Sequence, residues 1–206
     1  MSSKEKYYGL EHIETAYDLH QLGITDRYLD DYAKGRQLLE EALAIKEKHY
    51  GSKHIEISYD LHQLGVIYLY IGDYTKSRQL LERSLAIKEK YYGLKHIEIA
   101  YTLHQLGKSY RYLGDYIKSK QLLEEALAIK EKHFGLEQVE TAITMHHLGI
   151  TYRYLGDYIK SKQLLEEALA IKEKHYGSKH IKTYKSRYQL SITDRKLGEH
   201  KKRWGK

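Results

Sequence analysis

Cysteine is absent from the 206 residues, which excludes disulfides and thiolate metal ligands. Proline is absent too, and the 15 glycines sit mainly at repeat-spaced positions. No stretch approaches the roughly 20 consecutive apolar residues needed to span a bilayer, and the opening MSSKEKYYG lacks the apolar core of a secretory signal. The expectation is a cytoplasmic chain with no membrane partner. A Gly-rich phosphate loop is missing, and the Asp and Glu residues fall at a helix cap or on faces of alternating charge. No nucleophile, base and orienting group stand out together. The chain therefore reads as not an enzyme, with no cofactor.

What is present is a soluble, ordered composition, 41% hydrophobic and 31% charged, with a net charge of +7. Lys and Glu alternate closely in LAIKEK, and the positive excess is spread over the repeats. The one dense basic cluster is His200-Lys201-Lys202-Arg203. Such a pattern predicts a mildly basic, solvated surface and argues against nucleic acid as the main partner.

A 42-residue motif organises the chain. Tyr7–Lys48 reads YYGLEHIETAYDLHQLGITDRYLDDYAKGRQLLEEALAIKEK; the pattern restarts at His49, Tyr91 and His133, and a shortened copy begins at His175. Fixed spacing of this kind predicts a stacked solenoid in which each unit buries its apolar face against its neighbours. We expect one repeat domain, 1–206, with repeats 7–48, 49–90, 91–132, 133–174 and a partial capping repeat 175–206.

Within one repeat, Ala16, Leu19, Leu22, Gly23 and Leu29 form a stripe at helical spacing, while Ile13, Tyr17, His20, Ile24, Arg27 and Tyr28 form another face. A helix with two non-polar faces is covered on more than one side or offers one face to a ligand. Leu-Gly-Asp-Tyr follows, clearest at Leu113–Tyr116 and Leu155–Tyr158, where glycine closes one helix and aspartate caps the next. The second helix runs from about Tyr32 to Tyr50, with Tyr32, Gly35, Leu38, Leu39, Ala42, Leu43 and Ile45 inward and Glu40 to Lys46 outward. Gly23, Gly65, Gly107 and Gly149 recur inside the first helix at a cost of about 1 kcal/mol each. Their spacing implies a close approach to the paired helix, near Ala42, Ser84, Ala126 and Ala168.

Leu19-x2-Leu22-Gly23, the tyrosines at 68, 110 and 152, the glycines at 72, 114 and 156 and the alanines at 42, 126 and 168 resemble the tetratricopeptide repeat. With 42 residues instead of 34, the motif is similar to the repeats of kinesin light chains and to bacterial 42-residue arrays. It departs from the kinesin-type joint in having Ile13, Ile55, Ile97 and Ile181 after the histidine, where proline is usual, and it lacks the heptad region that joins the motor. The resemblance implies an all-α, right-handed α-solenoid of helix–turn–helix repeats, a superhelix whose first helices line a concave groove. Carried over by position, the groove columns are Tyr17, Tyr59, Tyr101 and Ile143; His20, His62, His104 and His146; Ile24, Val66, Lys108 and Ile150; Arg27, Leu69, Arg111 and Arg153; and Tyr28, Tyr70, Tyr112 and Tyr154.

Tyrosines offer contact area at small entropic cost, arginines grip carboxylates in a two-pronged fashion, and histidines hydrogen-bond a peptide backbone. The expected function is a scaffold binding an extended peptide or a protein partner's segment, with acidic residues in the partner. The histidine column is expected to be exposed to the groove; in the Tyr28 column, contact with ligand and packing between repeats are balanced. No metal is expected, because members of a histidine column lie a full repeat apart, roughly 10 Å, whereas ligands must lie about 2 Å from one ion. The fifth copy replaces Gly149, Tyr152 and Tyr154 by Ser191, Asp194 and Lys196, so its first helix reads as a polar cap, with little or no second helix and Trp204 packing back. Tyr7, Tyr8 and the first helix leave an N-terminal edge suited to a homo-oligomer. The alternatives are thus a structural array associating through its ends, or weak nucleic-acid binding through a basic surface. Tyr110–His133 and Tyr152–His175 are identical, which points to recent duplication or design and to a repetitive or weakly specific ligand.

Overall fold

The computed structural model describes residues 12–204, the side chains of 203 and 204 excepted. Among these residues every element is helical: α1 (Ile13–Tyr28), α2 (Tyr32–Tyr50), α3 (Ile55–Tyr70), α4 (Tyr74–Tyr92), α5 (Ile97–Tyr112), α6 (Tyr116–Phe134), α7 (Val139–Tyr154), α8 (Tyr158–Tyr176) and α9 (Ile181–Trp204). The chain is an all-α solenoid of helix–turn–helix repeats. It divides into two compact units, Met1–Leu94 and Lys95–Lys206. In the first, α1 pairs with α2 and α3 with α4, and α3 packs on both α1 and α2; in the second, α5 to α8 repeat this scheme and α9 packs on α7 and α8.

The helix boundaries follow the sequence signals. Asp31, Asp73, Asp115 and Asp157 each accept a hydrogen bond on Oδ1 from the amide three residues on, at 3.2, 2.9, 2.9 and 3.0 Å, satisfying free donors of the second helices. The first helices use a cap that their sequence did not announce. Nδ1 of His12, His54, His96 and His180 accepts from the amide two residues later, at 3.2, 3.3, 3.3 and 3.1 Å. Gln138 occupies that place before α7 and makes no such bond. The turn between paired helices needs one left-handed residue, with φ near 85° at Gly72, Gly114 and Gly156; in the first repeat Asp30 takes the position at φ 62°. Aspartate tolerates this conformation better than most side chains.

The mid-helix glycines are explained by the same geometry. A Cβ on Gly65 would lie 2.6 Å from Cγ of Leu81, and one on Gly107 2.7 Å from Cγ of Leu123. The close approach is therefore to Leu39, Leu81, Leu123 and Leu165, one turn before the alanine positions expected from the sequence. Ser84 itself faces the Ala16 column, donating to the Ser58 carbonyl at 2.7 Å.

Two placements depart from the sequence reading. Leu22, assigned to the core stripe, is 49% exposed, whereas Leu64, Leu106 and Leu148 at the same position are 2% exposed. Within each unit that position packs on the preceding second helix, Leu64 on Leu39 and Leu148 on Leu123. The lysine of LAIKEK, placed on the outer side, is buried: Lys46 1%, Lys88 1%, Lys130 3% and Lys172 4%. In the last copy α9 runs for 24 residues through Gly198, because Leu197-Gly198-Glu199-His200 lacks the aspartate that starts a second helix in the other repeats. The contacts expected of Tyr7, Tyr8 and Trp204 lie outside the described residues and side chains.

Candidate functional site

The five columns proposed for the groove separate into an exposed layer and a buried one. Tyr28, Tyr70, Tyr112 and Tyr154, at the ends of the first helices, are 74%, 55%, 51% and 54% exposed. Each of Tyr28, Tyr112 and Tyr154 carries the guanidinium of the preceding arginine over its ring, at 4.2, 4.8 and 5.7 Å for Arg27, Arg111 and Arg153. Tyr70 stacks on Tyr32 with 5.3 Å between ring centroids, and Tyr154 on Tyr116 with 4.9 Å. Packing between repeats thus holds the rings of Tyr70 and Tyr154, while all four tyrosines keep more than half of their surface exposed.

The histidine column is buried instead of exposed. His20, His104 and His146 are nearly inaccessible and His62 is half-buried. The reason is that the first helices of successive repeats touch, α1 with α3, α5 with α7 and α7 with α9, so this stripe faces the next repeat. Val66, Leu69, Lys108, Arg111 and Ile150 are buried along with it. Tyr17, Tyr59 and Tyr101 are half-buried. The Tyr17 hydroxyl meets that of Tyr50 at 2.9 Å, Tyr59 meets Tyr92, and Lys46, Lys88 and Lys130 reach within 4.9, 5.0 and 5.0 Å of the three ring centres.

Between repeats these groups build a recurring polar lock. A histidine of one first helix and the lysine of its own second helix converge on one side chain of the next first helix. In the first unit that side chain is Asp60, fully buried, which takes His20 Nδ1 at 2.6 Å on Oδ1 and Lys46 Nζ at 2.9 Å on Oδ2. In the second unit it is a hydroxyl. Thr144 Oγ1 lies 3.1 Å from both His104 Nδ1 and Lys130 Nζ. Ser186 Oγ lies 3.0 Å from His146 Nδ1 and 2.9 Å from Lys172 Nζ. Ser186, accepting from the Lys172 ammonium, has its own proton to donate to Nδ1 of a neutral His146, whereas the Thr144 proton is also within reach of the Glu140 carbonyl at 3.5 Å.

The electrostatics follow from that exchange. With no carboxylate in the lock, burial lowers the Lys130 and Lys172 ammoniums to about 8. Burial, then the charge of Lys172, Arg111, Arg153 and Lys185, lowers His146 to about 3. His104 and His147 are likewise held far below the usual histidine value, by burial first and then by Lys130, Lys108 and Arg111 around them. Sequence reasoning missed the lysines and the Asp60, Thr144 and Ser186 positions. The signal available was a lysine at fixed spacing opposite a small polar residue inside an otherwise apolar stripe.

Among the described residues no group of three or more His, Cys, Asp or Glu is arranged to hold a metal ion. No helix among them is long and apolar enough to cross a membrane. The hydroxyl–imidazole pairs at Ser186–His146 and Thr144–His104 are buried between repeats, and what the arrangement presents outward is a periodic row of tyrosine rings.

Comparison with known proteins agrees with this geometry. Two family models, both described as tetratricopeptide repeat, match residues 55–132 and residues 15–56 and 141–182. Among solved structures, one described as kinesin light chain nearly identical TPR-like repeats from Podosopora anserina is 25% identical, with a TM-score of 0.75, covering 93% of this chain and 90% of that one. BtubC (BKLC) from P. vanneervenii is 19% identical with the same TM-score, covering 92% and 76%. A Rap protein complexed with Competence and Sporulation Factor is 19% identical, with a TM-score of 0.74, covering 91% of this chain and 50% of that one. No curated protein matches the chain in sequence. The repeat length, the capped helix pairs and these matches together place the chain in the tetratricopeptide repeat family.

Proposed function

We propose that the protein is an interaction scaffold that binds an extended peptide segment of a protein partner across the first helices of its repeats. The observation that supports this most directly is the exposed tyrosine at one register in four successive repeats, held from behind by packing and flanked by arginine in three of them. Rigid, exposed aromatic rings give contact area without a large ordering cost. The histidine column acts from behind, setting the spacing of the first helices. A fold shared with a Rap protein solved in complex with Competence and Sporulation Factor supports a role in binding.

A peptide-array screen followed by fluorescence polarisation tests the reading. Tyr70→Ala and Tyr154→Ala are each expected to weaken a captured peptide about tenfold, the effect of losing an aromatic anchor. Tyr91→Ala, an exposed ring on a second helix, is expected to leave affinity unchanged. Equal affinity of all three variants and the parent would reject the tyrosine face.

A second reading, association through repeat ends, is favoured by the exposure of Leu22 on α1, at a position that is buried in the three following repeats. Analytical size exclusion over a hundredfold dilution checks it. The expected result is an apparent mass that falls on dilution; a monomer at every concentration removes this reading.

A further inference from the structure

Two arginines of this chain reach the same pair of acceptors from different places in the repeat. Arg83 on α4 donates to the Glu47 carboxylate near the end of α2 and, at 3.3 Å, to the Ser52 carbonyl in the turn that follows. Arg187 on α9 donates to the Glu173 carboxylate at 2.5 Å and reaches the Ser178 carbonyl at 3.5 Å. Glu47 and Ser52 hold the same repeat positions as Glu173 and Ser178. The arginines do not: Arg83 comes from a second helix and Arg187 from a first. A guanidinium is thus what these acceptors collect, whichever helix supplies it.

The joint between α6 and α7 has the acceptors and lacks the arginine. Its carboxylate is Glu131 and its carbonyl that of Leu136, while the places of Arg83 and Arg187 are taken by Glu167 and Met145. An ion pair is thereby replaced by two interacting carboxylates. Burial, then the charge of Glu167, raises the Glu131 carboxyl, and no cation among the described residues offsets it. A pocket of about 410 Å³ opens at this joint, walled by Leu136, Met145, Ala170 and Ile171, with Glu167 on its lining. Glu137 and Lys174 line it too and neutralise each other at 2.8 Å. Glu131 and Glu167 therefore leave the pocket with a surplus of negative charge on a chain whose net charge is +7.

We propose that this pocket receives an arginine side chain of a protein partner, its guanidinium held by Glu131, Glu167 and the Leu136 carbonyl and its stem along Leu136 and Ile171. Arginine is the occupant because the chain itself seats one on the same acceptors twice. A partner supplies it because both positions that could supply it from within carry Glu and Met. The forked, planar guanidinium can bond a carboxylate and a carbonyl together, which a lysine ammonium does less well. The pocket lies by the start of α7, and Tyr154 ends that helix roughly 20 Å away. It is thus a second contact surface, independent of the tyrosine face.

Nuclear magnetic resonance titration of the isotope-labelled chain with N-acetyl-arginine N-methylamide, an arginine residue with a peptide bond on each side, tests the pocket. Saturable shifts are expected in the amides of residues 136–139 and 167–174. The citrulline analogue, which keeps the shape and loses the charge, is expected to bind about tenfold more weakly, and the lysine analogue to fall between the two. Glu131→Gln is expected to weaken the arginine amide by about the same factor. Glu167→Arg supplies from within what Arg83 supplies in its own repeat, and is expected to abolish binding while raising the thermal midpoint. The inference is overturned if no saturable shift appears at those amides, if either analogue binds as tightly as the arginine amide, or if the arginine shifts survive either substitution unchanged. Tighter binding of free L-arginine than of the amide would mark a small-molecule site, and displacement by calcium below the concentration of the amide a metal site; either result would overturn it as well.

Discussion

Asp60→Asn is expected to lower stability by about 3–5 kcal/mol, the cost of leaving a buried charge without its partner. The substitution keeps the shape of the side chain and removes its charge. It strands Lys46, whose ammonium lies 2.9 Å from the carboxylate and is 1% exposed, and it leaves only a neutral amide at the 2.6 Å contact with His20. Because stability in a solenoid is close to a sum of repeat and interface contributions, the loss should localise to the first unit. Chemical denaturation, with amide hydrogen exchange to locate the loss, checks this. Adding Lys46→Met should recover most of the loss, since a pair of charges removed together leaves neither exposed to an apolar surrounding. A single variant within 1 kcal/mol of the parent would show that Asp60 does not neutralise the lock.

Stability is expected to rise with pH over a wide range and to peak between about pH 9 and 10, above the usual optimum of roughly 5–8. Three buried groups set the acid limb. His104, His146 and His147 have folded values below 6.5, so below that pH the unfolded chain binds protons that the folded one refuses. Stability is complete above 6.5 with respect to these groups and is lost as pH falls. Each imidazole contributes about 1.4 kcal/mol per pH unit, so three together cost about 4 kcal/mol per unit.

Lys130 and Lys172 set the next limb. Their folded values near 8 lie below 10.5, so between those values the unfolded chain again holds more protons and stability climbs with pH. Above about 10 the sign reverses. Tyr17 and Tyr152 are raised by burial and by hydrogen bonds to Tyr50 and Glu124, so the unfolded chain loses protons that the folded one keeps. Thermal midpoints at low salt from pH 4 to 11 provide the measurement, and a maximum at pH 5–6 would contradict it. Thr144→Asp supplies the carboxylate that Asp60 provides in the first unit, next to His104 and Lys130, and should flatten both lower limbs.

The helices and their boundaries were legible because their causes are local. The 3.6-residue spacing, the Asp caps and the turn glycines act within a few residues, and each is written into every copy. The tyrosine column was legible by position, but its exposure was not. Whether Tyr70 faces solvent depends on Tyr32 stacking on one side of it, an event 38 residues away. The histidine column went the other way for the same kind of reason: the next first helix lies against it, so a stripe that would face a ligand in an isolated helix pair faces Asp60, Thr144 or Ser186 instead.

The lack of cysteine and the 42-residue repeat length determined a great deal on their own. A chain without cysteine, whose apolar stripes recur every 42 residues, buries those stripes by stacking against its own copies. What the tertiary structure alone decided is which charges go inside. A lysine in LAIKEK looks solvated because lysine usually is and because Glu flanks it. It is buried because its ammonium lies over a tyrosine ring and reaches a polar side chain of the next repeat. The difference between a lock closed by Asp60 and one closed by Thr144 is one residue in the sequence; stacking makes it the difference between a neutral interface and one that carries uncompensated positive charge beside Arg111.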